Sequence, residues 1–280
     1  MVRIITDSAA DFEPLELQQL NITCIPLRIT MGDKEYEENV NLTKPQFFSL
    51  LAQLDGAPKT AQASPQILID LFRDARKAGE EAIYITLSSA LSGTYQSAMM
   101  VCEEVGGDSC FVLDSKNATG GQRLLVEYAV RLRDQGKSAR EILAAVEAIR
   151  DKIVLYACID TLEYLYKGGR ISQTVYKLGT MAQVKPIIRV SQEGKIEVPS
   201  KAMGMRKGVD FLAKRLELQK PSQDHPLYVM FTPDPGNGQL LLEKVRSMGF
   251  DVPDSRFISV GGAIGSHIGH NACGLVYVEK

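Results

Sequence analysis

The sequence predicts an α/β protein of two domains. Residues 1–160 are expected to form an N-terminal α/β domain on a parallel sheet. Residues 161–280 are expected to form a C-terminal α+β domain with a mixed or antiparallel sheet. Three observations carry this. The first half alternates short apolar runs with segments of helical spacing, and strands separated by helices pair in parallel through right-handed crossovers. The second half changes texture to a hairpin turning on glycine, followed by helices and further strands. A chain of 280 residues is long enough to bury two cores.

Taken in order, "VRIITDS" is a strand ending in Asp7 and Ser8, which start a helix over residues 12–20. "ITCIPLRIT" reads as a strand, and Gly32-Asp33 turns it back through "KEYEENV". In "SPQILIDLFRDARKAG", Ser64 stands at the cap, Pro65 at the first helical position and Gly79 at the stop. "EAIYITL" and "CFVLDS" are strands. Helices follow from Gly93 past Met100, over "GGQRLLVEYAVRLRDQG", and over residues 138–150. In the second half "IVLYACID", "KPIIRVSQEGKIEVPSKA", "LYVMFT", "FISVG" and "CGLVYVEK" are strands, with helices over residues 208–218 and 238–248. The change of texture places the domain boundary within residues 156–167.

Bulk composition excludes several functions. Thirty-two basic residues stand against 34 acidic ones, a net charge of −2, which gives no electrostatic basis for binding nucleic acid or an anionic membrane. Cys24, Cys102, Cys110, Cys158 and Cys273 are scattered, odd in number and never in a CxxC pair, so they read as reduced, buried small side chains. No run approaches the roughly 18 apolar residues of a membrane span, and no cationic leader precedes an apolar stretch. A cytoplasmic protein without an integral membrane segment is expected.

In a parallel sheet the ligand site lies beyond the carboxyl ends of the strands. The loops there are polar: Asp7-Ser8, residues 60–64, residues 88–94 and residues 114–119. "SSALSGTYQ" puts Ser92, Gly93 and Thr94 where a strand gives way to a helix, whose free N–H groups favour an anion. Ser92 also suits a plain helix cap, as does Ser64, whereas Thr60 has no local duty. "GGAIGSHIGHNACG" surrounds His267 and His270 with five glycines, which suit tight turns and close approach to a ligand. His267 there is a candidate switchable donor. With no carboxylate adjoining the two histidines, no metal is expected. "LEYLYKGGRIS" projects Lys167 and Arg170 from a glycine turn, and "KAMGMRKG" adds Arg206 and Lys207. Such cations suit phosphate or an acidic partner surface.

The stretches "IITDSAAD", "SSALSGTYQSA", "VLDS", "LEYLYKGGRIS", "KPII" with its "GKI" hairpin, and "SHIG" resemble the DegV family in order and spacing over nearly the whole chain. The resemblance implies two α/β domains enclosing a long-chain fatty acid, with no other cofactor. It implies a bacterial binding subunit that presents the carboxylate to a separate ATP-binding kinase subunit of a fatty-acid kinase. The acyl phosphate formed then enters phospholipid synthesis. Carried over residue by residue, Thr60, Ser92, Gly93 and His267 are the carboxylate-binding residues. Arg170 and Arg206 resemble residues of the face that meets the kinase. The chain departs from the family pattern at Ala61-Gln62-Ala63, at Ser266 and at His270-Asn271-Ala272.

The residue types also allow an alternative, a serine-dependent ester or thioester hydrolase with Ser92 as nucleophile and His267 as base. "ALSGT" lacks the GxSxG elbow, however, and no acid is evidently placed to orient the histidine. Neither GxGxxG nor GxxxxGK[ST] follows a strand, which leaves a nucleotide-binding module last.

Overall fold

The computed structural model describes residues 1–178 and 183–280. β1 (Val2–Asp7) leads into a single 3-10 turn over Ser8–Ala10, capped by the Asp7 carboxylate on the Ala9 N–H. α1 (Pro14–Gln19) starts later than expected, because Glu13 and Glu16 form the reciprocal cap immediately before Pro14. "ITCIPLRIT" is two strands rather than one. Pro26 has no N–H to continue a ladder, so β2 (Ile22–Ile25) pairs with β1 while β3 (Arg28–Met31) leaves for another sheet. β3 returns through Gly32 as β4 (Lys34–Glu37). α2 (Lys44–Leu51) was not foreseen, although Thr43 and Gln46 form a full capping box with Pro45 inside it. β5 (Lys59–Ala61), expected as loop, pairs with the other edge of β3.

The alternation then runs as predicted through α3 (Pro65–Lys77), β6 (Glu81–Thr86), α4 (Thr94–Val101), β7 (Cys110–Asp114), α5 (Thr119–Asp134) and α6 (Ala139–Arg150). One π-helical turn over Cys102–Gly106 extends α4. The sheet order is β2-β1-β6-β7, every pair parallel. Side chains alternate across it. Ile5 and Tyr84 face Leu68 and Phe72 of α3 and Ala98 of α4, whereas Ile4, Ile83 and Ile85 face Leu125, Val126 and Ile142 of α5 and α6. Both faces are therefore covered, which a parallel sheet requires.

The second half supplies β8 (Ile153–Cys158), α7 (Glu163–Lys167), α8 (Gln173–Leu178), β9 (Val184–Val190), β10 (Ile196–Met203), α9 (Met205–Leu218), β11 (Tyr228–Phe231), α10 (Gly236–Ser247), β12 (Phe257–Ser259), α11 (Gly262–Ile268) and β13 (Cys273–Val278). They form a mixed sheet of order β10-β9-β8-β13-β11-β12, in which only β11 and β12 pair in parallel. β8 belongs to this sheet although its residues precede position 160. Leu212 and Leu216 of α9 and Leu241 and Val245 of α10 cover its outer face. Its inner face, with Leu155, Ile188, Met230 and Val276, packs on Leu124 of the first domain's α5.

The glycine-rich segment after β12 is a helix, α11, and not the tight loop that its composition suggests. Its glycines serve close packing. A Cβ on Gly262 would sit 2.8 Å from Phe47 and 2.9 Å from Ile29, and one on Gly265 2.8 Å from Phe48. α11 thus lies against α2 and β3 of the first domain, closer than any side chain would allow. Among the described residues, no helix is long and apolar enough to cross a membrane.

Candidate functional site

The loops beyond β1, β6 and β7 are stitched together by buried acceptors. The Asp7 carboxylate accepts from the Leu87 N–H (2.8 Å), the Ala9 N–H (3.2 Å) and Gln122 Nε2 (3.1 Å). Burial pushes its pKa up to about 6 against the pull of those bonds. Asp114 Oδ1 accepts from the Ser89 and Lys116 N–H groups, and Ser88 Oγ donates to Gly194 O at the tip of the β9–β10 hairpin. The loop over residues 88–93 is thereby fixed from below and from the second domain.

Ser92 Oγ accepts from the Thr94 N–H (3.2 Å) and shares a 2.9 Å hydrogen bond with Thr94 Oγ1, but it stands one residue before the cap position of α4, which is Gly93. Ser64 occupies its cap position without a side-chain bond. The Gly93 N–H meets no protein acceptor among the described residues. Thr60 lies on β5 opposite Ile29, and its Oγ1 is 3.0 Å from His267 Nε2 of α11. Thr60, Ser92, Gly93 and His267, the four expected headgroup residues, all line one cavity of about 220 Å³. Leu27, Leu87 and Leu91 add apolar wall. A neighbouring cavity of about 50 Å³, walled by Leu155, Ile188, Val190, Met230 and Val260, shares Ala118, Ile196, Ile264 and Ile268 with the first. The two are continuous in lining, polar at one end and aliphatic at the other.

Arg170 also lines the polar end, which differs from the outward-facing role expected for it. Its Nε and Nη2 donate to Leu91 O at 3.0 and 2.9 Å, and Nη1 donates to Gly168 O at 2.5 Å. The guanidinium carries five N–H groups, so donor capacity remains. Burial pulls its pKa down, with no carboxylate among the described residues beside it to oppose that. Arg206, by contrast, is exposed on the first turn of α9 and pairs with no carboxylate among the described residues.

His267, the candidate switchable donor, lines the same polar end. Burial, with the Arg170 charge second, holds its pKa down to about 3, so the ring is neutral. Nδ1 has no hydrogen-bond partner among the described residues and lies over Gly168, where a Cβ would come within 2.2 Å of it. That contact accounts for the first glycine of "KGGR". The hydrolase alternative loses its geometry here. Ser92 Oγ pairs with Thr94 and not with His267, and among the described residues no carboxylate orients the imidazole. His270 rests against Phe48, ring centroids 5.5 Å apart. Among the described residues no three His, Cys, Asp or Glu side chains gather as a metal site.

Known proteins agree with this architecture. The family model described as "Uncharacterised protein, DegV family" matches residues 1–280. A DegV domain-containing protein of Caldanaerobacter subterraneus subsp. tengcongensis is 31% identical over 293 residues, covering 100% of this chain and 99% of that protein. A solved structure described as fatty acid binding of a DegV family protein from Thermus thermophilus has a TM-score of 0.89 at 26% identity, covering 100% of this chain and 99% of its own. A stearic acid-binding protein from Eubacterium ventriosum shares the fold, with a TM-score of 0.88 at 24% identity and coverage of 100% and 99%. With the motifs and the whole length in agreement, the chain belongs to the DegV family.

Proposed function

We propose that the protein binds one long-chain fatty acid and holds its carboxylate at the rim for a separate ATP-dependent kinase subunit, which converts it to an acyl phosphate for phospholipid synthesis. The protein itself is the carrier in this scheme. One observation carries the binding step: an unpaired, half-buried cation and uncharged donors at one end of a cavity whose other end is aliphatic. A desolvated cation without a counterion is costly, and an anionic headgroup offsets that cost. The Thermus thermophilus relative, described as fatty acid binding, supports the same reading.

The tail supplies most of the affinity. About 15 methylenes at about 0.8 kcal/mol each give roughly 12 kcal/mol before ordering and desolvation costs. Thr60, Ser92, Gly93 and His267 orient the headgroup through single hydrogen bonds, and each bond to a charged group is worth about 1.5–3 kcal/mol. None of the four clamps both oxygens, so one stays available for phosphoryl transfer.

Native and denaturing mass spectra of purified protein test the binding step, with one fatty acid per chain expected. Protein that is repeatedly empty and also ignores added palmitate and oleate would refute it. The partner step has its own test. Arg206 is an exposed cation at the positive end of α9, where the helix dipole makes it unfavourable without a partner. Arg206→Ala should slow phosphorylation by the kinase subunit while leaving palmitate affinity unchanged. Full phosphorylation of the variant would move the partner surface away from α9.

A further inference from the structure

The start of α11 is held by three side chains that lie more than 200 residues earlier in the chain. Asp11 Oδ1 accepts from the Gly261 N–H at 2.8 Å, and Glu38 Oε1 accepts from the Ala263 N–H at 3.0 Å. Lys44 Nζ donates to Ser259 O at 2.9 Å, Asp11 O at 3.0 Å and Glu13 Oε1 at 2.6 Å. Asp11, Glu38 and Lys44 are only 1%, 2% and 6% exposed. Burying three ionisable groups is an expensive way to start a helix of seven residues, since one serine or asparagine caps a helix at far lower cost.

The packing of α11 explains why so strong a hold is needed. The face toward α2 and β3 is made of Gly262 and Gly265, pressed on Phe47, Phe48 and Ile29. A glycine face is smooth, without knobs to resist sliding or rotation along the contact. The opposite face presents Ile264, His267 and Ile268 to the cavity. A slip of one residue moves the helix about 1.5 Å along its axis, enough to break the 3.0 Å contact between Thr60 and His267.

We propose that Asp11 and Glu38, with Lys44, are positioning residues that fix the register of α11 and so aim His267 at the headgroup site. Asp11 extends the hold to the cavity wall, because its Oδ2 also accepts from Thr119 Oγ1. The consequence for affinity rests on the fatty-acid reading above, whereas the register itself does not.

The experiment therefore has a lipid-free arm and a lipid arm. In the lipid-free arm, the titration of the His267 ring is followed by NMR in the full chain. In the parent the ring should stay neutral down to about pH 3. Glu38→Ala should loosen α11, admit water and move the titration up toward the ordinary value of 6.5. Glu38→Gln keeps an acceptor for the Ala263 N–H and should titrate like the parent. Gly261→Ala is a second route should Glu38→Ala fail to fold, because its Cβ would press within 2.3 Å of Glu38 Oε1 without removing a charge. It should also shift the titration upward. An unmoved titration in both disruptive variants, or a Glu38→Gln variant that behaves like Glu38→Ala, overturns the proposal. In the lipid arm, palmitate affinity should fall about tenfold in Glu38→Ala, equivalent to roughly one hydrogen bond. It should fall no further when His267→Ala is added, because the two act through one contact. Additive losses would mean that Glu38 does not act through His267. A parent that fails to bind palmitate would refute the fatty-acid reading and leave the NMR result standing.

Discussion

Replacing Arg170 with alanine is expected to lower fatty-acid affinity tenfold or more, while the lipid-free protein keeps close to its parental stability. The two halves of this result come from the same cause. Arg170 is partly desolvated at the polar end of the cavity and faces no carboxylate among the described residues. Without lipid, the hydrogen bonds to Leu91 O and Gly168 O are offset by the cost of keeping a charge away from water. With lipid, the guanidinium gains an anion, and a hydrogen bond to a charged group is worth about 1.5–3 kcal/mol. Arg170→Lys keeps the charge but cannot reproduce the planar fork on Leu91 O, so its affinity should fall between the two. Thermal unfolding with and without palmitate reads both effects, since a ligand stabilises in proportion to its affinity. Unchanged affinity in Arg170→Ala would put the side chain back on the outer face, where its place in "KGGRIS" first suggested it.

That case shows what the sequence conveys and what it withholds. The parallel sheet was legible because local signals carry it: Ser138 caps α6 with Glu141, Pro65 starts α3, and apolar spacing marks each covered face. The headgroup loops were legible because strand order alone gathers them at one edge. Long-range contacts left no such trace. Arg170 turns inward because Leu91 O, 79 residues earlier, accepts from it. Asp11 and Glu38 have no visible role in the sequence, and only the fold brings them to Gly261 and Ala263. The glycines of α11 looked like turn formers, since composition cannot distinguish a glycine chosen for its backbone angle from one chosen for the absence of a side chain. α2 is different. Its Thr43–Gln46 capping box was present in the sequence and would have found the helix.

The second large effect concerns acid stability and His267. In the unfolded chain the ring takes its proton near 6.5, whereas in the folded protein burial and Arg170 delay that until about 3. Folding therefore favours the neutral ring. The contribution is fully present above pH 6.5 and is lost as the pH falls from 6.5 toward 3, by a few kcal/mol in all at about 1.4 kcal/mol per unit. Asp7 and Glu38 act in the opposite sense. Their folded values are raised to about 6 and about 7, so their contribution is greatest in acid and declines as the pH rises through those values. The parent's profile sums these opposing trends, and the difference between parent and His267→Gln isolates the histidine. Denaturant midpoints at pH 7, 5.5 and 4 should show the variant losing less stability on acidification than the parent. Parallel profiles would mean that the ring titrates in the folded protein at its ordinary value. Because a neutral imidazole contributes a hydrogen bond rather than a charge, His267→Gln, which retains an N–H donor, should keep much of the palmitate affinity at pH 7, and His267→Ala should lose more. A general base in a hydrolase cannot be replaced in this way, since glutamine accepts no proton near neutral pH. Graded loss from Gln to Ala in the binding assay, without ester turnover in the parent, is thus the pattern that a carrier produces and a hydrolase does not.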